Sequence, residues 1–309
     1  MISPIDPKEP PQVSVCIATY RRPEGLGRLL TSLAGQRDAP RFDVIVVDND
    51  VKRAGEGVAL RFRDRLDLTY VVEPTRGLSR VRNRAVAESN GTFLAFIDDD
   101  EWATPNWLAR LAAKAEDHFA DVVVGPVTIV FDESVPQHIR SCSLFARTAM
   151  ADGATLPWYR THTSNAYVRR SALPDQRSPF STIFDLTGGE DVDLFARMID
   201  HGALVVAAAE AGVFEYRPAH RANLRWVLRR GLKNGTLMAG REWSQLGALA
   251  RLNLGLLAGW QGMALAFAGL AGWRKDPAKA MGHLIEMASN IGRLASVFGI
   301  KIYEYRNHS

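Results

Sequence analysis

The feature that most constrains this sequence is an apolar run that ends directly in acid. Residues 92–97 read TFLAFI, and the next four residues, 98–101, read DDDE. A short uncharged run that begins after Gly91 predicts a fully buried strand. Ligands of an open α/β sheet bind at the carboxyl ends of its strands. The acidic turn, as we call residues 98–101, is therefore expected at a binding site.

Two interpretations of the acidic turn remain open from its residues alone. Neighbouring carboxylates repel one another, so their arrangement is costly unless a cation is bound. Oxygen ligands in this number suit Mg²⁺ or Mn²⁺, which bind through one or two carboxylates and substrate phosphates. The alternative is a solvated acidic turn that binds nothing.

Strand-like and helix-like segments alternate along the first part of the chain. Strands are predicted at residues 13–18, 42–47, 68–72, 92–97 and 121–131. Helices are predicted from residue 23 and over residues 53–65, 77–89 and 105–119. Four alternations predict an α/β fold with a largely parallel, doubly wound sheet. After residue 131 we expect an irregular segment, a short strand near Arg169, a helix from Glu190 and two short strands.

The charge of the chain is unevenly distributed. Residues 221–309 contain 13 Lys and Arg against 4 Asp and Glu, a net charge of +9, whereas the first 220 residues contain 25 against 30, a net charge of −5. A basic segment that also contains tryptophan fits an anionic membrane surface. A nucleic-acid partner is not expected, because the basic residues are not interleaved with stacking aromatics on one surface.

Three domains are predicted from these patterns: a tail at 1–11, a catalytic α/β domain at 12–219 and a basic, amphipathic helical region at 220–309. Residues 254–273 contain no charge and precede a second amphipathic stretch at 278–298. Interfacial helices, a membrane span or re-entrant hairpin, and a soluble helical subdomain or oligomer contact all fit this region. Two widely separated cysteines and a start unlike a signal peptide predict a cytosolic protein.

Two further acidic sites accompany the acidic turn. Asp48 follows the second strand, and Glu190 and Asp191 follow a Gly-Gly turn at the start of a helix. A nucleotide diphosphate would suit such a site, because a cation can bridge its phosphates while a remaining carboxylate acts as a general base. One arginine of the helix at 77–89, assigned here to Arg82, is expected to reach a phosphate. The dinucleotide glycine fingerprint, P-loop, HExxH and GxSxG patterns do not occur.

Several blocks of the sequence resemble the family 2 glycosyltransferases, which are inverting enzymes of the GT-A fold. The blocks are VSVCIATYRRP, VIVVDND, GLSRVRNRA, FLAFIDDDEWATPNWL, SNAYVRR and GGEDVDLFARM, within residues 13–200. Within that family, the VVDND, GPV and GGEDVDLF segments most resemble the glucosyltransferase group that builds bacterial exopolysaccharides such as succinoglycan. The resemblance implies a GT-A catalytic domain followed by a C-terminal helical region that associates with membranes.

The resemblance implies roles for five residues in holding the donor. Ala18 and Tyr20 lie where the family packs the nucleotide base, and Asp48 with Asn49 is expected to reach the edge of the base. Many relatives have a second aspartate where this chain has Asn49, which leaves the base in doubt. Asn165 falls at a position expected in a loop near the donor sugar or the acceptor.

The acidic residues match the metal-binding and catalytic positions of the family. Asp98 to Asp100 match the DXD-type motif, with Asp98 or Asp99 directed toward the ribose. Asp100, together with Asp98, is implied as the protein ligand of Mn²⁺ or Mg²⁺. Asp191 matches the catalytic base, and Glu190 lies beside it.

The implied function is transfer of a hexose, with glucose from UDP-glucose as the expected donor. The expected acceptor is a hydroxyl of a polyprenyl-diphosphate-linked glycan in exopolysaccharide or cell-surface polysaccharide synthesis. The expected location is the cytoplasmic face of the bacterial inner membrane, peripheral or monotopic, with a homo-oligomer possible. The alternatives are a sugar-1-phosphate nucleotidyltransferase and a non-catalytic nucleotide- or carbohydrate-binding scaffold.

Overall fold

The computed structural model of the protein describes residues 11–145, 150–300 and 302. The predicted tail at 1–11 lies outside these residues except for Pro11. The chain forms two compact units: the first unit comprises 1–128 with 149–215, and the second unit comprises 129–148 with 216–309. The segment 129–148 thus joins the C-terminal residues, which differs from the predicted division at residue 219.

The strands and helices are numbered here along the chain. The strands are β1 Val13–Thr19, β2 Phe42–Asp48, β3 Leu68–Val72, β4 Phe93–Ile97, β5 Glu101–Ala103, β6 Val122–Val124, β7 Val127–Phe131, β8 Asn165–Arg169, β9 Val205–Ala207 and β10 Val213–Arg217. The α-helices are α1 Pro23–Ala34, α2 Glu56–Leu60, α3 Leu78–Glu88, α4 Trp107–Asp117, α5 Gln137–Arg140, α6 Glu190–Asp200, α7 Leu224–Glu242, α8 Ala248–Gly272 and α9 Pro277–Val297.

The first unit is organised around a seven-stranded sheet of order β3-β2-β1-β4-β8-β6-β9. Strands β1 to β4 pair in parallel, and β6 pairs in parallel with β9. Strand β8 pairs antiparallel with both β4 and β6. The predicted α/β fold with a mostly parallel sheet is therefore confirmed, and the strand predicted near Arg169 is the antiparallel member.

Both faces of this sheet are buried, because helices cover each of them. Helices α1, α2 and α4 pack on the face that includes Val15 and Ile17. Helices α3 and α6 pack on the face that includes Cys16 and Phe96. Alternate residues of a strand point to opposite faces, so a strand covered on both sides is apolar throughout. This arrangement explains the unbroken apolar run before the acidic turn.

Three predicted elements have different bounds in the structure. The helix predicted at 105–119 begins at Trp107 with Asn106 as its N-cap, because β5 and its turn occupy the preceding residues. The strand predicted at 121–131 is divided into β6 and β7 by Gly125–Pro126, where a side chain on Gly125 would overlap the carbonyl oxygen of Ala211. The helix predicted at 53–65 is helical only over α2, and turns follow it.

The first turn of α1 lies directly on the acidic turn. A Cβ atom added to Gly25 would overlap the carbonyl oxygen of Asp99. Gly25 is buried, and its backbone therefore approaches the acidic turn more closely than any side chain would allow. Gly27, two residues along the same helix, has only the flexible Val58 side chain nearby. This contact fixes the acidic turn against α1.

The second unit contains the three long C-terminal helices, with α9 packed against both α7 and α8. Glycines permit the close approach: Gly231 of α7 meets the backbone of Ile285, and Gly255 of α8 meets Val297. A separate apolar core in this unit also includes residues of the segment 129–148. Among the described helices, α8 is the one whose length and composition would suit a membrane crossing.

Substituting Gly25 with Ala is expected to lower the free energy of unfolding by about 1–3 kcal/mol, the usual cost of overpacking. The added methyl group meets backbone rather than a movable side chain. Gly27→Ala is the matched control, since alanine improves helix propensity by up to about 1 kcal/mol. Urea denaturation of both variants measures the difference, and equal stabilities would contradict the contact between α1 and the acidic turn.

Candidate active site

The acidic turn is a compact hydrogen-bonded structure at the carboxyl end of β4. The backbone N–H of Asp98 donates to Oε2 of Glu101 at 2.9 Å, and the backbone N–H of Glu101 donates to the carbonyl oxygen of Asp98 at 3.1 Å. The three aspartate side chains differ in accessibility. That of Asp98 is 38% exposed, that of Asp100 is 14% exposed and that of Asp99 is 6% exposed. Asp98 and Asp100 are therefore the two that a ligand can reach.

Arg22 bridges the other two aspartates of the turn. One guanidinium nitrogen, Nη1, lies 2.8 Å from Asp99 Oδ1 and 2.9 Å from Asp100 Oδ2. Asp99 Oδ2 accepts from the Thr19 hydroxyl at 2.9 Å and from the Tyr20 N–H at 3.4 Å. Burial raises the pKa of Asp99 to about 7, while Arg22 opposes the rise and Asp100 adds to it. Asp99 thus fastens the turn to the end of β1, and the expectation that Asp98 or Asp99 faces the ribose stays a prediction.

Arg82 joins the acidic turn to the start of α6. Its guanidinium Nη2 lies 3.3 Å from Asp98 Oδ1, and Nη1 forms a close ion pair with Glu190 Oε1. Arg82 is 6% exposed and Glu190 is 3% exposed. Arg82 was predicted to contact a phosphate, but it is buried between two carboxylates. The positive charge of Arg82 therefore pairs with both carboxylates and holds Asp98 and Glu190 close together.

Asp191 lies at the start of α6, next to the buried Glu190. Gly189 precedes the helix in the left-handed conformation, with φ of 98°. Asp191 is half-buried, and its Oδ1 accepts from the backbone N–H of Val192 at 2.8 Å. Burial raises the pKa of Asp98; Arg82 opposes this rise, and the charges of Asp100 and Asp191 add to it. Asp98 and Asp191 are therefore electrostatic neighbours, although they are far apart in sequence.

A cation-rich aromatic platform lies beside the acidic turn. The Tyr20 ring has the guanidinium carbons of Arg21 and Arg76 each 4.9 Å from its centroid. Arg76 also donates to the Tyr20 hydroxyl in a very short contact. Ala18, at the end of β1, is partly exposed. Sequence reasoning missed both arginines, and the only signal for Arg76 was its place beside Gly77 at the start of α3.

Asp48 is the last residue of β2, opposite Thr19 at the end of β1, so it lies at the carboxyl edge of the sheet as predicted. Its carboxylate is fully buried and accepts from the N–H of Asp50, the N–H of Gly55 and the hydroxyl of Tyr70, at 2.7–2.9 Å. These three donors satisfy the carboxylate within the fold. Asp48 therefore closes the loop after β2, and its contact with the base edge stays a prediction.

Asn49 organises the loop that follows β3. Its Nδ2 donates to the carbonyl oxygens of Glu73 and Thr75, and its Oδ1 accepts from the N–H of Gly77 at 3.2 Å. This loop contains Arg76, which lies on Tyr20. The predicted direct contact of Asn49 with the base is thus replaced by an indirect role, because its amide holds the loop that presents Arg76.

Asn165 lies in β8, and the predicted loop at this position is wrong. The residue is fully buried. Its Oδ1 accepts from the indole N–H of Trp107 at 2.8 Å, and its Nδ2 donates to the carbonyl oxygens of Pro126 and Ala211. The amide therefore fixes the break between β6 and β7 against α4. The expected contact of Asn165 with the donor sugar or the acceptor stays a prediction.

Glu101, the last residue of the acidic turn, has a buried partner in Glu215 that was not predicted from the sequence. Glu101 of β5 is opposite Glu215 of β10, and both are less than 7% exposed. Oε1 of Glu101 has no hydrogen-bond partner among the described residues. Burial raises the pKa of Glu101 well above its ordinary value, and the charges of Asp98 and Glu215 raise it further. Burial and the neighbouring carboxylates therefore disfavour the charged form of Glu101.

The carboxylates of the acidic turn fit a divalent cation that shares its ligands with a substrate. In the described part of the chain, no group of three or more His, Cys, Asp and Glu side chains is arranged to hold a metal ion. Asp98 and Asp100 nevertheless provide accessible hard oxygen ligands two residues apart. Mg²⁺ and Mn²⁺ are commonly held by one or two carboxylates, with phosphate oxygens and water completing the shell. A cation at this site would accordingly depend on a bound diphosphate.

Comparison with known proteins identifies the family of this chain. The family model described as Glycosyl transferase family 2 matches residues 14–176, just over half of the sequence. The chain is 34% identical over 234 residues to the succinoglycan biosynthesis protein ExoM of Rhizobium meliloti (strain 1021), covering 74% of each protein. These findings confirm the predicted family and the resemblance to the exopolysaccharide group.

Two solved structures share the fold. The first is S. aureus TarS 1-349 in complex with UDP-GlcNAc, with a TM-score of 0.58, 18% identity and 90% coverage of both chains. The second is the mannosyltransferase PcManGT from Pyrobaculum calidifontis in complex with GDP-Man and Mn²⁺. Its TM-score is 0.62 at 19% identity, covering 94% of this chain and 88% of that one. The predicted GT-A-like fold is therefore confirmed.

Removing the charge of Arg82 is expected to destabilise the protein strongly. Arg82→Gln leaves the buried Glu190 carboxylate without its cation, which typically costs about 3–5 kcal/mol of unfolding free energy. Arg84→Gln on the same helix is the matched control, because Arg84 forms an exposed pair with Glu88 worth about 0–1 kcal/mol. Urea denaturation provides the measurement. If both variants lost the same small free energy of unfolding, Arg82 would not be the link between the acidic turn and α6.

Proposed function

The chain belongs to glycosyl transferase family 2, and from this premise we propose that it is a metal-dependent, inverting hexosyltransferase that uses a nucleotide-diphosphate sugar. The observation that carries the proposal is the convergence of Asp98, Arg82, Glu190 and Asp191 at the carboxyl end of the central sheet. This geometry brings the partly accessible carboxylates of Asp98 and Asp100 near Asp191, a separate carboxylate that can accept a proton.

Asp191 is the proposed general base. Glu190 was grouped with it as catalytic, but Glu190 is buried and paired with Arg82. A carboxylate held in such an ion pair is a poor proton acceptor, because the pair stabilises its charged form. Asp191 is half-buried, and its hydrogen bond is to the neighbouring backbone N–H of Val192. Glu190 is accordingly proposed to position Arg82, and Asp191 is proposed to accept the proton.

The proposed reaction is a single displacement at the anomeric carbon. Asp191 accepts the proton of the acceptor hydroxyl while that oxygen forms its bond to the anomeric carbon from the face opposite the leaving group. The bond from the anomeric carbon to the nucleoside diphosphate breaks in the same displacement, which inverts the centre. Asp100, with Asp98, would hold Mn²⁺ or Mg²⁺. Such a cation, when bound, neutralises negative charge that develops on the departing diphosphate.

UDP-glucose is the proposed donor, with the base stacked at Tyr20. The Tyr20 ring, flanked by Arg21 and Arg76, provides a flat surface and positive charge for a nucleotide. Fold relatives are described with UDP-GlcNAc and with GDP-Man, so the GT-A fold accepts more than one base. Similarity to the succinoglycan biosynthesis protein ExoM supports a role in exopolysaccharide synthesis. A thermal-shift panel of nucleotide sugars with Mn²⁺ tests this choice, since a tight ligand raises apparent stability.

The proposed acceptor is a hydroxyl of a polyprenyl-diphosphate-linked glycan at the cytoplasmic face of the bacterial inner membrane. The net charge of +9 in residues 221–309 and the long apolar helix α8 support attachment to an anionic membrane. A release assay for UDP, run with and without a lipid-linked acceptor, separates this function from that of a non-catalytic scaffold. A sugar-1-phosphate nucleotidyltransferase would instead release inorganic diphosphate from a nucleoside triphosphate.

Asp191→Asn is expected to lower kcat by about two to four powers of ten, the usual contribution of general-base catalysis. Donor binding should be retained, because the substituted amide keeps the size of the side chain. Asp193→Asn is the matched control: Asp193 lies two residues along α6 and pairs with Arg197 at the surface. The measurement is the steady-state rate of UDP release together with donor affinity. Near-normal turnover by Asp191→Asn would exclude it as the base.

Asp100→Asn is expected to weaken donor binding only when Mn²⁺ is present. Loss of one carboxylate ligand should reduce the affinity for UDP-glucose with Mn²⁺ by about tenfold or more, which corresponds to at least about 1.4 kcal/mol. With EDTA, the variant and the natural protein should bind alike. Asp117→Asn, an exposed substitution at the end of α4, serves as the control. An equal loss of affinity with and without the metal would contradict the assignment of Asp100 as a ligand.

A further inference from the structure

Helix α8 of the second unit presents a continuous apolar surface. We define its apolar outer face by six residues that recur every three or four positions and are 37–77% exposed: Leu252, Leu256, Trp260, Met263, Phe267 and Leu270. This spacing places them on one side of an α-helix. Over its 25 residues α8 is about 37 Å long, at 1.5 Å per residue. Such a large exposed apolar patch marks an interaction surface.

The opposite side of α8 is occupied by α9 along most of its length. Gly255 contacts Val297, Gly262 approaches Asn290, and Gly269 contacts Leu284. These three contacts extend over 14 residues of α8, or about 21 Å. Any position that α8 takes in a membrane must therefore be shared by α9.

Helix α9 has ionisable side chains at the level where it packs on α8. His283, Glu286 and Arg293 lie along it, and Arg293 pairs with Glu242 of α7 at 2.8 Å. Glu286 and Arg293 also line a cleft of about 400 Å³ whose walls include Gln261 of α8. If α8 crossed a bilayer, these groups would enter the hydrocarbon with it, which is costly for charged side chains. The length of α8 suits a crossing, but its packing on α9 opposes one.

The exposed surface of α8 fits lipid better than a second helix. Leu254 and Leu257, outside the apolar outer face, line the cleft that α8 shares with Glu286 and Arg293. The charge at the ends of α8 is what separates lipid from a second helix as the occupant of the apolar outer face. Exposed cations lie at both ends of α8, with Arg251 at the start and Arg274 and Lys275 after the end. The sequence has no Asp or Glu between Trp243 and Lys275, so the surface is complementary to anionic lipid.

We propose that α8 lies in the plane of an anionic bilayer, with its apolar outer face immersed and α9 held on the side toward water. This inference deepens the membrane attachment in the proposed function and selects the interfacial arrangement over a span or a soluble oligomer contact. It requires no property of the donor site.

Depth measurements distinguish these arrangements. Single cysteines replace Leu256, Met263 and Leu270, seven residues apart on the apolar outer face, and each receives a nitroxide or fluorescent label. The natural Cys16 and Cys142 are buried, so we expect the label to react with the introduced cysteine instead. In vesicles of phosphatidylcholine and phosphatidylglycerol, depth-dependent quenchers should place the three labels within about one helical turn, 5 Å, of a common depth. A span would instead place successive labels about 10 Å apart along the bilayer normal, and that result would overturn the proposal.

Charge insertion provides a second, independent measurement. Met263→Glu should weaken vesicle binding at least tenfold in co-sedimentation. Ile183→Glu, at a site of the first unit that is also mostly exposed, should leave it unchanged. Unchanged binding by Met263→Glu would contradict the proposal. The proposal would also be contradicted if the protein formed a dimer without lipid and that dimer protected the labels on the apolar outer face.

Stabilisation by UDP-glucose with Mn²⁺, measured on the same variants, separates this inference from the proposed reaction. Met263→Glu should keep that stabilisation, and Asp191→Asn should bind vesicles normally. If the natural protein did not bind UDP-glucose with Mn²⁺ but still bound vesicles, the proposed reaction would be refuted and the membrane arrangement would be retained.

Discussion

The candidate active site depends on two arginines that hold like charges together. Arg22 bridges Asp99 and Asp100, and Arg82 bridges Asp98 and Glu190. Without these guanidinium groups, the carboxylates would repel one another in a partly buried region where charge is poorly screened. The arginines come from the segment after β1 and from α3, so they also join separate elements to the acidic turn. The ion pairs of Arg22 and Arg82 therefore do two things: they neutralise carboxylate charge in the site, and they hold neighbouring elements to the edge of the sheet.

The sequence was informative where local rules and sheet topology decide the outcome. A buried strand ending in acid and a helix starting at Glu190 were both recognisable, and parallel strands bring such ends to one edge. The proximity of Asp98 and Asp191 has a different origin. Strand β8 is antiparallel to β4 and ends opposite Phe93, at the other edge, so the segment 170–189 must return the chain before α6 begins. The limits were reached where a partner lies far along the chain. Nothing near Arg82 indicated that it would be buried against Glu190, 108 residues away.

Two polar residues of the matching blocks show why a motif does not fix the direction of a side chain. Asp48 and Asn165 lie at strand positions that the family resemblance linked to the donor, yet each is satisfied by backbone or side-chain partners inside the fold. Hydrogen bonding of buried polar groups is nearly obligatory, so the surrounding backbone decides their orientation. The short strand β5 was missed for a related reason, since its three residues are stabilised by pairing with distant β10.

The second unit is discontinuous in sequence, and this has a consequence for dissecting the protein. Its apolar core combines Val135 and Ile139 of the segment 129–148 with Val227, Met281 and Ile285 of the C-terminal helices. A chain shortened after residue 215 would retain the first two residues but lose their packing partners. The exposed remnant would favour aggregation, and a loss of yield would then say nothing about catalysis. Separating the two units cleanly requires replacing the segment 129–148 with a short polar linker as well as shortening the chain.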